Sequence, residues 1–231
     1  SADAQKERLG RMLAALSATN EAIVRATSRT ELFDLVCEAA AKGGRFNSTS
    51  ILLARPDSDY ASTAAVAGPT AGNMRRVKVS FNADHPEGRG LCGNAFRTPQ
   101  ACISNNFRAD PRGSAFRRFI HSDGAMSGAA FPLLVSGQAV GVMFFVSSAM
   151  DTFTPEFAEL LQRLTDNVSF ALGTFERADE KARTEVQKER LTRMFASLSA
   201  TNEAIMRAKS REELFELVCE AAAGGGRFTS T

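Results

Sequence analysis

The sequence predicts a mixed α/β (α+β) fold: an antiparallel sheet of about five or six strands between helices, with long connector helices at both ends. Three observations carry this reading. Two β-rich runs, Gly128–Val135 and Ala139–Val146, flank Ser136-Gly137-Gln138, the pattern of a hairpin. Both runs are largely apolar rather than alternating, so both faces should be covered and the strands should be central. Long proline-free segments at the two ends space their apolar residues three and four apart, as helices do.

The elements follow in order. Residues 3–27 read as a helix in which Leu9, Met12, Leu16, Thr19, Ile23 and Ala26 form a narrow seam. That seam suits either a coiled coil or an amphipathic helix lying on its own domain. Ser28 and Glu31 make a capping box for a second helix, which buries Leu32, Leu35, Val36 and Cys37 and is stopped by Gly43-Gly44. Strands are expected at Phe46–Ala54, Tyr60–Ala67 and Arg75–Phe81, the last with Val77 and Val79 alternating against Arg76, Lys78 and Ser80. After the loop Asn82–Glu87, Gly88 and Gly90 turn the backbone into a short helix with Cys92, Ala95 and Phe96 inward. Residues 101–111 read as an irregular loop, and Ser114–His121 as a short helix with Phe116, Phe119 and Ile120 inward.

Thr154-Pro155-Glu156 opens the exit helix with Thr at N-cap, Pro at N1 and an acid in the first turn. Its seam is Leu161, Leu164, Val168, Ala171, Phe175 and Ala178. No proline follows Pro155 and no glycine lies between Gly173 and Gly224, so one helix is expected to run to about Ser210. At ~1.5 Å per residue it would be roughly 80 Å long. The seam changes phase around Val186–Leu191, like a stutter in a coiled coil.

An internal repeat sets the domain organisation. Gln5–Thr49 returns as Gln187–Thr231, a shift of 182, with 36 of 45 positions identical. The chain therefore reads as a piece of a longer protein with tandem units of about 180 residues. The expected parts are an entry helix (1–27), a folded domain (28–175), a connector helix (176–209) and the truncated start of a second unit (210–231). Leu214, Phe215, Leu217 and Val218 repeat an apolar face without their own sheet, so they are expected to dock on a neighbouring chain or to be poorly ordered.

Composition excludes several classes. The net charge is +2, with basic residues scattered, so no nucleic-acid partner is expected. No apolar run approaches the ~20 residues that span a bilayer, so no membrane contact is expected from this chain. Four cysteines without a disulfide-scaffold pattern fit a reducing, cytoplasmic compartment. His85 and His121, the two histidines, sit in polar loop-like sequence, and neither they nor the cysteines have metal-ligand spacing.

The stretch GRGLCGNAF (Gly88–Phe96), followed by the FPLLVSGQAVGVM hairpin, resembles a GAF domain over about residues 30–175. The resemblance implies a small-molecule-sensing module of a bacterial signalling protein. It would pass the state of a pocket through paired helices to an output domain such as a diguanylate cyclase, phosphodiesterase or histidine kinase. A homodimer through the terminal helices is expected, because a monomer would leave Leu9, Leu16, Leu161, Leu164 and Val168 partly covered. The ligand is unidentified and no cofactor is named. The rival reading is a structural dimerisation module with a collapsed pocket.

Candidate ligand-binding residues are Arg89, Cys92, Phe96, Asn105, Asn106, Phe107, Asp110, His121 and Phe131. GRG before a helix suits an anion with Arg89 assisting, or plain backbone punctuation. GRGLCGNA is also similar to the corresponding stretch of free methionine-(R)-sulfoxide reductases, with Cys92 at a motif cysteine. That family's catalytic cysteine precedes the strand matching Ala129–Leu134, where this chain has His121-Ser122-Asp123-Gly124-Ala125-Met126. Without that thiol the reaction's thiol–disulfide cycle is incomplete, so no enzyme activity is expected. A redox sensor using Cys92 and Cys102 stays open, since disulfide reach depends on the fold. Asn105, Asn106, Phe107 and Asp110 loosely echo the cyclic-nucleotide-binding pattern but lack its lysine and Asp-Glu pair, so a cyclic nucleotide also stays open.

Overall fold

The hairpin at the centre of the sequence is also the centre of the sheet. In the computed structural model, which describes residues 2–207 and scattered positions between 210 and 219, β4 is Ser127–Val135 and β5 is Gln138–Ser147. Between them Ser136 and Gly137 take φ of 51° and 78°, the left-handed pair of a type I′ turn whose twist matches the strands it joins. β1 (Ser48–Arg55) pairs with β5 on its other side, and β2 (Ser58–Ala67) pairs with β1. β3 (Cys102–Ser104) lies outside β4, giving an antiparallel sheet in the order β2-β1-β5-β4-β3.

Adjacent residues of one strand face opposite sides of a sheet, and this sorts the interior into two cores. On one side α1 (Ala2–Arg25), α2 (Arg29–Gly44) and the first turns of α6 (Pro155–Arg207) cover Ile51, Phe131, Leu133, Met143 and Phe145. The Phe131 and Phe145 rings meet edge to face at 5.7 Å, and Phe46 lies 5.2 Å from Phe145. On the other side α3 (Ala71–Met74), α4 (Leu91–Arg97) and the loops between strands cover Leu52, Ala130 and Val142. There Phe81 and Phe96 stack at 4.0 Å.

Several expectations are corrected. Arg75–Phe81 is not a full strand. It starts inside the turn that follows α3, and its pairing with β2 is one bridge, Tyr60 to Ser80, flanked by bonds from Ala61 N to Val79 O and from Phe81 N to Asp59 O. The sheet thus has five strands and a fragment of a sixth. Gly43-Gly44 does not stop α2; the left-handed residue is Arg45 (φ 50°), whose N–H and that of Phe46 close on Lys42 O and Ala41 O. Gly44 is needed because the Phe46 ring occupies the space of a Cβ. Leu35 points outward at 38 % exposure, and Phe33 takes the inward place instead.

The capping box forms: Ser28 Oγ accepts from Glu31 N at 3.2 Å, and Glu31 Oε2 accepts from Thr27 N at 2.9 Å. Both helical seams are absorbed by the domain's own core, the exit seam as far as Phe175, while Ala178 is exposed. Met12 and Thr19 on α1, and Leu161, Leu164 and Val168 on α6, are buried within the single chain, and Leu9 and Leu16 pack against the same cluster.

α6 runs unbroken to Arg207, as the lack of proline and glycine predicts. The chain divides into two compact units, Ser1–Phe175 and Glu176–Thr231. In the second, Leu191, Met194, Phe195 and Leu198 are each about half exposed or more. Leu214 and Leu217 lie outside the described residues. Phe215 is exposed.

Candidate functional site

A cavity of about 70 Å³ opens beneath the sheet face opposite α1, α2 and α6. Its roof is the sheet: Ser48 opens β1, and Phe144 and Val146 alternate down β5. Met74 at the end of α3, with Val77 and Val79 beyond it, forms one wall, and Leu91 and Cys92 at the start of α4 form the next. The remaining wall is the segment from Phe107 to Ala125. A 3-10 turn (Pro111–Phe116) passes there into α5 (Arg117–Ser122), contributing Phe116, Phe119 and Ile120. The expected inward face of that short helix is therefore present.

Local chemistry fixes this wall. Asp110 caps the 3-10 turn, accepting from Arg112 N at 2.9 Å, and Pro111 supplies the preset φ. The Arg112 guanidinium folds back on the same carboxylate through Nε and Nη2, at 2.9 and 2.6 Å. It also donates to Cys102 Sγ at 3.1 Å and to Ile103 O at 3.0 Å, tying the wall to β3. Arg112 beside it holds the Asp110 carboxyl down at a pKa of about 2. Phe107 is set by its N–H bonding to Met126 O, and Asp123 Oδ1 accepts from Asn73 Nδ2 at 2.6 Å.

Of the candidates named from sequence, Cys92 and Phe107 line the cavity. The other seven do not. Phe131 lies on the far face of the sheet, one residue out of phase with the cavity side. Phe96 is stacked on Phe81 outside the lining. His121 is exposed on α5, and Asn106 is exposed with its Oδ1 accepting from Arg108 N. Asn105 binds the backbone of Phe153, and Asp110 acts through Arg112.

Arg89 Nε donates to Ala83 O, which braces the preceding loop, and the residue lies outside the cavity lining. The glycines of that motif are punctuation: an added Cβ at Gly88 would strike Asn82 O, and one at Gly93 would strike Gly88 O. Lining residues passed over in the sequence include Arg112, Met74, Glu87, Asp123 and Phe144. The alternation in Phe144-Phe145 was a usable signal for one of them, since one ring must face each side.

Thiol chemistry is poorly served. Burial pushes the Cys37 and Cys92 thiols well above their ordinary range, and burial also raises Cys102 in spite of Arg112. Among the described residues no group of three or more His, Cys, Asp or Glu is placed to hold a metal ion.

Residues 26–173 match a family model described as "GAF domain". No curated protein matches the chain in sequence. Among solved structures, the fold is similar to that of a free methionine-R-sulfoxide reductase from Neisseria meningitidis in complex with its substrate. The identity is 18 %, the TM-score 0.61, and the match covers 72 % of this chain and 91 % of that one. It is similar too to the GAF domain of a phosphoenolpyruvate-protein phosphotransferase from Coxiella burnetii, at 14 % identity and TM-score 0.61, covering 75 % and 98 %. A third likeness is the GAF domain of the Acinetobacter phosphoenolpyruvate-protein phosphotransferase, at 16 % identity and TM-score 0.58, covering 73 % and 97 %. At these identities the likeness shows the fold.

Proposed function

Because this chain belongs to the GAF domain family, we propose that it is a regulatory domain whose cavity takes a small molecule and reports its presence to an output domain through α6. The observation that carries this is the cavity itself, with a mostly apolar lining contributed by five separate stretches of the chain, at residues 48, 74–79, 87–92, 107–125 and 144–146. A ligand there would touch β5 and the loop that Asn105 fastens to Phe153, two residues before α6 begins. Occupancy thus has a short mechanical route to the helix.

The neighbours that are reductases raise catalysis as the second reading. A sensor fits better, because His121–Met126 brings Asp123 and Ala125 to the cavity and no nucleophile, and the Cys92 thiol is held protonated. Native mass spectrometry of freshly purified protein, beside the same sample denatured, tests the reading. Extra mass that is lost on denaturation and absent in a cavity-filling Ala125→Leu variant is the expected result. Turnover of free methionine sulfoxide that vanishes in Cys92→Ser would overturn it.

We also place a homodimer on the outer face of α1 and α6. The seams themselves are used internally, so the surface is different from that expected. Asn20 Oδ1 accepts from Asn167 Nδ2 at 2.7 Å between the two helices. Around that pair Leu13, Val24 and Phe170 are 52, 86 and 73 % exposed. Leu13 and Val24 share a helical stripe with Asn20, and Phe170 is one turn from Asn167. Sedimentation equilibrium is the check: a dimer that Phe170→Glu converts to monomer is expected, and a monomer at tens of micromolar contradicts it. Among the described residues no helix is long and apolar enough to cross a membrane, and a cytoplasmic setting is part of this proposal.

A further inference from the structure

The charges that face the cavity decide what it would accept. Resting on the reading that the cavity is a ligand site, we propose that it takes a small apolar ammonium ion, such as a short alkylamine or a methylated amine, and not an anion. Among the lining residues the one cation is Arg112, and each of its three guanidinium nitrogens is already engaged, on Asp110, Cys102 and Ile103 O. Its charge is neutralised at close range by the Asp110 carboxylate.

The two carboxylates in the lining are in the opposite condition. Among the described residues no hydrogen bond or ion pair engages Glu87, which is half-buried at the cavity. Asp123 is held only by neutral donors, Asn73 Nδ2 and Ser122 Oγ. The remainder of the wall is aromatic and aliphatic, with the rings of Phe107, Phe116, Phe119 and Phe144. Ring faces attract a cation and repel an anion.

A phosphate or carboxylate entering here would leave water for a site with two acids and no available cation, which costs more than the apolar contacts return. An ammonium ion meets carboxylate, ring faces and a fitting apolar surface together. Size narrows the class further. The volume is about 70 Å³, roughly half that of the ~150 Å³ engineered cavity that admits benzene. A ligand of about four or five heavy atoms fits, and a cyclic nucleotide does not.

The test is a methyl NMR titration of the full chain, following Met74, which lines the cavity. Three probes of similar shape differ in charge: isobutylammonium, isobutanol and isobutyrate. The expected order of affinity is ammonium, then alcohol, then carboxylate, with the ammonium favoured over the alcohol by about fivefold or more. Glu87→Gln and Asp123→Asn keep side-chain size, and at position 123 the acceptor oxygen that Asn73 uses. Each should weaken the ammonium by about three- to tenfold and leave the alcohol within twofold, with unchanged thermal melts showing that the fold is intact. Equal binding of all three probes, or an ammonium preference untouched by both substitutions, overturns the ligand class while leaving the site standing. If none of the probes moves Met74, the site reading fails and the proposal with it.

Discussion

Asn105 grips the backbone of Phe153 from both sides: its Oδ1 accepts from Phe153 N at 2.9 Å and its Nδ2 donates to Phe153 O at 3.1 Å. The Asn105 carbonyl also accepts from Asp151 N at 3.1 Å. One amide side chain thereby fastens the loop after β3 to the approach of α6. Phe153 is itself stacked on Phe46 at 6.0 Å, so the clasp is anchored in the core.

Asn105→Ala leaves a part-buried N–H and carbonyl of Phe153 without their partners, at a cost of about 1–3 kcal/mol. The neighbouring Asn106→Ala removes one exposed turn bond, to Arg108 N, and should cost under about 0.5 kcal/mol. Urea unfolding of both variants measures the contrast. Equal effects would mean that the clasp is not holding the loop.

These two asparagines show where sequence reading stops. As neighbours in one irregular stretch they look alike, and only the fold separates a clasp from a surface turn. Phe131 and Phe107 were similarly grouped as cavity residues. The hairpin was legible, but which of its faces met the cavity was not, because β4 is apolar on both faces and its pattern carries no sidedness. β3 escaped notice because three residues are too few to show alternation. By contrast the capping box, the unbroken α6 and the inward Phe116, Phe119 and Ile120 were readable, since each depends on spacing within one element. The repeat adds a further check. Of the nine positions that differ between the copies, seven (Gly10, Leu13, Val24, Thr27, Thr30, Asp34 and Lys42) are exposed in the first copy. The second copy has therefore kept nearly all of the residues that the first buries.

Acid should loosen the cavity wall. The Asp110 carboxyl has a folded pKa of about 2, below its ordinary 3.8, so its contribution is fully present above about pH 4. It is lost as pH falls through 4 towards 2. With Arg112 partly exposed, the contribution is about 1–2 kcal/mol. Stability measured from pH 5 to pH 2 should fall more steeply in the native protein than in Asp110→Asn. Parallel curves would remove the pair from the account.

The thiols should behave as structural groups. Cys37 and Cys92 are buried and held protonated by that burial. Disulfide-exchange reagents are expected to leave both unmodified in the folded protein at neutral pH and to reach them only as denaturant unfolds the chain. Mass mapping after brief labelling identifies the sites. Rapid native labelling of Cys92, or a Cys92–Cys102 disulfide formed under mild oxidation, would favour a redox role instead.

The central claim is that the space beneath the sheet is a usable cavity, and xenon tests it without any assumption about the natural ligand. Met74 lines the cavity, whereas Met143 is fully buried on the opposite face of the same sheet. Methyl NMR under rising xenon pressure should shift Met74 saturably and leave Met143 in place. A Met74 signal that does not move, or moves no more than Met143, would show a solid interior and contradict the account.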